Sequence, residues 1–175
     1  MGTREKVVVA AQGAHKASNA IIGAEEERLG LPRITEANSE TEEATVENRN
    51  GSQRIKIKIG AATRAGEPYV QTAASIDGGC LWEAAILDGK HAVRLNQAHP
   101  YYEKVYVPNL ASGVLVQGMD SLMWALAIAQ LSTSTDATWD YFEDLRYEVS
   151  RILGKLVATL PEPDLPDALE TTDVR

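Results

Sequence analysis

Two periods divide the chain. From 44 to 96 apolar and polar positions tend to alternate, and from 111 to 160 apolar residues crowd together or recur every three or four. The alternation is strictest where Ile55, Ile57 and Ile59 interleave with Arg54, Lys56 and Lys58, the pattern of a strand with one dry face and one wet one. Asn50-Gly51-Ser52 separates that run from 44–49, and Asp88-Gly89 separates 80–87 from 91–96. Both are hairpin signals, because a two-residue type I′ turn needs φ > 0 at positions that Asn, Asp and Gly occupy cheaply. With a short strand at 68–74 and a turn at Asp77-Gly78-Gly79, five strands joined by short connections predict an antiparallel meander.

Pro100 then opens a short helix over 100–106, since proline at a first helical position gives up only an N–H that would be orphaned anyway. The stretch 111–131 is apolar on almost every side, which predicts a helix buried in its own domain or at an interface. From 138 to 160, Phe142, Leu145, Val149, Ile152 and Leu156 step by three and four, with Asp136 as a candidate N-cap. Residues 4–29 read as a helix that Gly13 and Gly23 weaken and that Gly30 and Pro32 stop. The expected layout is an N-terminal helix (1–30), a linker (31–43), an α+β domain (44–160) with its two long C-terminal helices packed on the sheet, and a disordered acidic tail (161–175).

Length and charge change this picture little. A chain of 175 residues can bury a core without staples, and no composition bias marks it as disordered throughout. Of the formal charge of −8, residues 162–175 supply half, with five acids against Arg175, so general affinity for nucleic acid is disfavoured. The single cysteine, Cys80, forbids an internal disulfide and points to a reducing cytoplasm. The apolar start is too short for a secretory signal, and no run reaches membrane-span length, so no membrane partner is expected.

Candidate chemistry is sparse. Cys80 with His99, or with His91 and Asp88, could form a nucleophile and base, against the plainer reading of a small apolar residue in a strand. Asn96, His99 and Tyr101 lie where strand becomes helix and could hold a ligand on exposed N–H groups; their plainer role is to cap that helix. Arg54, Lys56 and Lys58 form a basic patch that could meet phosphate or could be the wet face of the sheet. Three scattered histidines and no paired cysteines make no metal site, no glycine-rich phosphate loop is present, and no cofactor is expected.

The segments GGCLWEAAILDGKHAVRLNQAHPYYEKVY, MDSLMWALAIAQLS and FEDLRYEVSRIL resemble the region downstream of the ATP-binding module in bacterial and phage proteins of the histidine-kinase, gyrase and mismatch-repair ATPase superfamily. The resemblance implies an accessory domain. It carries over no nucleotide-site residue, because the Asn, the Asp-x-Gly-x-Gly stretch and the glycine-rich lid of that superfamily are missing. The reading that unites these features is a non-catalytic oligomerisation or coupling domain within a larger assembly, forming a homodimer through the seam Phe142, Leu145, Val149, Ile152 and Leu156. A small enzyme using Cys80 and His99 and a nucleic-acid module using Arg54, Lys56 and Lys58 are the alternatives.

Overall fold

The computed structural model describes residues 13–162, and the expectations for 4–12 and for 163–175 lie outside that range. The central hairpin forms as its turn residues dictate. Strands β6 (Trp82–Leu87) and β7 (Lys90–Asn96) pair antiparallel around Asp88 at φ 51° and Gly89 at φ 73°, the left-handed pair that a type I′ turn requires.

The mixed α+β class holds, but the sheet is not a five-stranded meander. Among the described residues there are two sheets. The first is antiparallel, β1 (Arg33–Asn38), β2 (Glu43–Asn48) and β3 (Gly51–Lys56), in that order. The second has the order β4-β6-β7-β5, where β4 (Lys58–Gly60) runs parallel to β6 and β5 (Val70–Ala73) parallel to β7. The run 53–59, expected to be one strand, is cut at Ile57, whose N–H donates to Glu42 O at 3.0 Å. Its alternation continues through the cut, with Gln53, Ile55, Ile57 and Ile59 all buried.

The stretch 31–43 is not a linker either, since it contains β1. The strand escaped the period test because it is a polar edge strand with a bulge between Ile34 and Glu36, leaving only Ile34 partly covered.

Helix α1 (Lys16–Glu25) passes into a 3₁₀ turn, Glu26–Leu29, that ends at Gly30 with φ 61°, as the Gly-then-Pro signal predicts. The expected short helix is a π-helical turn, Tyr102–Tyr106, continued by a 3₁₀ turn, Val107–Asn109. Helices α2 (Gly113–Leu131) and α3 (Asp136–Ala158) follow, and the cap of α3 is Thr135 rather than Asp136: its hydroxyl accepts the Thr138 N–H at 3.2 Å. The main core lies where α2 crosses β6 and β7, around Ile86, Val93, Leu95, Trp124 and Leu131. Contrary to the expectation that no segment reaches membrane-span length, α2 is, by length and composition, apolar enough to cross a membrane.

Candidate functional site

Among its 19 residues α2 has one charged side chain, Asp120, and that side chain points inward with no exposed surface. A lone buried carboxylate is costly unless donors surround it. For one of its oxygens they come from the start of α1, 102 and 105 positions earlier: Ser18 Oγ donates to Asp120 Oδ2 at 2.6 Å and His15 Nδ1 donates to the same oxygen at 2.7 Å, while Oδ1 has no hydrogen-bond partner among the described residues. His15 Nε2 forms a hydrogen bond with the Tyr102 hydroxyl at 3.1 Å. The Tyr102 ring stacks on Tyr106, centroids 4.9 Å apart. One turn on, Asn19 Oδ1 accepts from Tyr69 N and Val70 N, so α1 is pinned both to α2 and to the edge strand β5. The signal for this set was present in the sequence, an isolated Asp in the most apolar stretch and a His and Ser three apart on a helical face, but not the pairing between them.

The opposite side of α2 is the reverse of a normal helix surface. At 100° per residue, Val114, Gly118, Leu122, Ala125 and Ala129 fall on the face directly away from Val116, Asp120, Ala127 and Leu131. Val114 is 86% exposed, Leu122 60% and Leu115 48%. The N-terminal half of this face forms a shallow apolar depression lined by Val114, Leu115, Gly118, Met119 and Leu122. The helix has hidden its charge and left its hydrocarbon in water. Exposed apolar surface of this continuity marks an interaction site more often than a bare face.

The residues singled out from sequence are distributed differently. Asn96 and His99 are buried, and their polar atoms serve the backbone: Asn96 Nδ2 donates to Cys80 O at 2.8 Å, Asn96 Oδ1 accepts from Ala98 N, His99 Nδ1 accepts from Tyr101 N, and His99 Nε2 donates to Ser150 O at 2.8 Å. His99 thus caps the first turn at Pro100 and ties it onto α3, whereas Asn96 closes a local turn ahead of the helix and holds the chain at Cys80, just before β6. Tyr101 is half-buried against Tyr106. Cys80 is completely covered, and burial pushes its thiol pKa up, the opposite of what an activated nucleophile requires.

The basic patch lies on the exposed side of β3 and β4, where Glu43 of β2 and Glu42 of the turn before it meet it. Arg54 pairs with Glu43 at 2.8 Å and Lys58 with Glu42 at 3.2 Å; Lys56 has no ion pair among the described residues. Of the proposed seam, Leu145 and Val149 pack on the main core, Phe142 is half-buried, and only Ile152 and Leu156 are exposed.

A cleft of about 580 Å³ opens between the first sheet, the start of β6 and the first half of α3. Its charges are largely paired with one another. Arg94 pairs with Glu83 across the hairpin, and Arg146 donates to Glu143 at 2.6 Å and to Trp82 O at 3.0 Å. Glu143 also accepts from Gln130 at the end of α2. These contacts bind α3 to α2 and to β6, while Glu40, Lys56 and Asp77 on the lining have no ion pair, and Arg146 Nε no hydrogen-bond partner, among the described residues.

No known protein family, curated protein or solved structure matches this chain.

Proposed function

We propose that the chain is a non-catalytic association domain, an accessory unit of the kind its resemblance implies, and that its working surface is the outer face of α2. One observation carries this: a helix of 19 residues whose single charge is buried and whose outward face, apart from Ser121, is hydrocarbon from Val114 to Ala129. Burying apolar surface gains about 25 cal/mol per Å², so such a face stabilises any complementary contact, and no charge has to be desolvated there. The covered thiol of Cys80 and the paired cations Arg54 and Lys58 give no comparable support to an enzyme or to a nucleic-acid module.

The decisive measurement is mass by light scattering over a rising series of micromolar concentrations. Wild type should exceed one chain. Leu122→Glu should return to one chain with an unchanged circular-dichroism spectrum, because the new carboxylate sits in water in the free protein and would be stripped of it only in the contact. A wild-type mass of one chain throughout removes the reading, and so does a variant that associates as before.

A further inference from the structure

Resting on that association reading, we infer that the occupant of the face is a second copy of the same helix, laid antiparallel about a two-fold axis passing between positions 121 and 122. The stripe from Val114 to Ala129 is about 22 Å long at 1.5 Å per residue. Any segment that covers it must be apolar over that length. Residues 7–11 offer five apolar positions, about 17 Å even when fully extended, and behind them stand Arg4, Glu5 and Lys6. Residues 163–175 bring four acids and one base. A lipid surface suits a helix flanked by Lys and Arg, and α2 has neither. The face itself meets the requirement in both length and charge.

Its side chains also fix the orientation. The bulk lies in the first half and the middle, at Val114, Leu115 and Leu122, and the end of the second half is small, at Ala125 and Ala129. Turned end for end about that axis, Val114 of one copy comes over Ala129 of the other and Gly118 over Ala125, while Ser121 and Leu122 each meet their own counterpart. A parallel pair would set large on large at one end and small on small at the other, leaving a void that close-packed interfaces do not keep. Antiparallel helices also oppose their dipoles.

Single cysteines test the register. Cys80 is fully buried, so an introduced thiol reacts alone. Ser121→Cys should give a disulfide-linked dimer on mild oxidation, close to complete on a non-reducing gel. Val114→Cys should not link to itself, since its counterpart stands about 22 Å away at 1.5 Å per residue, but should link when mixed with Ala129→Cys. Self-linking of Val114→Cys with none at Ser121→Cys establishes a parallel pair and overturns this inference while leaving association intact. A chain that is a monomer by light scattering, or that floats with neutral lipid vesicles and loses this on Leu122→Glu, overturns the second-copy assignment outright.

Discussion

Helix α3 has the clean period and helix α2 has almost none, yet the less regular helix carries the unused surface. In α3 the apolar stripe is spent at home: Leu145, Val149 and Leu153 pack on the core, Arg146 reaches Trp82 O, and Ser150 Oγ accepts the Leu81 N–H at 2.9 Å. Outside remain Ile152 and Leu156 of the stripe, with Leu160 just past the helix end and Tyr141 and Tyr147 elsewhere on the helix; the first two stand in sequence among Glu148, Arg151 and Lys155, with Arg151 and Glu148 paired on the surface. Helix α2 has more apolar residues than its own core can cover. Periodicity thus reports which side of a helix its own domain takes, and apolar excess beyond the period is what that domain leaves exposed.

The largest test of this contrast sets the two sides of α2 against each other. Leu131→Ala, at a position with no exposed surface, should cost about 2–5 kcal/mol in chemical denaturation, whereas Leu122→Ala should change the stability of the free chain by no more than about 0.5 kcal/mol. Comparable losses at both sites would mean that the outer face is core. Next comes Asp120→Ala, which strands the His15 and Ser18 donors in the interior; about 3 kcal/mol is expected, and a loss near zero would show that the inward charge is incidental.

The smallest effect is a pH dependence. His91 links the inner side of α2 to the chain, because its backbone carbonyl accepts the Trp124 indole N–H at 3.1 Å and its Nε2 donates to Pro32 O. Burial lowers its pKa below the ordinary 6.5. Between the unfolded value and the lower folded one the unfolded chain holds more protons, so this contribution to stability is complete above 6.5 and is lost as pH falls. His91→Gln, which can keep the donor to Pro32, should flatten that slope below pH 6.5 in thermal melts. Association should not follow the same slope, since Val114, Leu115, Leu122 and the small residues between them do not titrate; a parallel fall would tie the contact to charged groups elsewhere.

Much of the fold could be read directly. Asp88-Gly89 specified its turn, the isoleucine alternation specified which side of 53–59 is dry, and α2 and α3 lie within two residues of where spacing placed them. The parallel pairings could not be read, because β4 and β5 have three and four residues, too few to carry a period, and their partners lie more than twenty positions downstream. The candidate surface was half legible. The all-round apolar character of 111–131 was plain, but which side the core would take depends on Asp120 finding His15, a contact that no local pattern encodes. Asn96 and His99 looked open to a ligand for the converse reason, since Ser150, 51 positions from His99, completes the latter's hydrogen bonds.

The flanking of one hairpin by two parallel strands has a consequence for the order in which the chain can fold. The β6–β7 hairpin draws on neighbouring residues and such units close in about 1–10 μs, but β4 and β5 both precede it and have no partner until it exists. As the chain leaves the ribosome, β1, β2 and β3 can complete their ladder while Ile59 and Val70 wait. A nascent chain halted before Trp82 therefore holds one finished sheet and two orphan strand edges, the state in which this protein is most open to capture by a chaperone or by another unfinished copy.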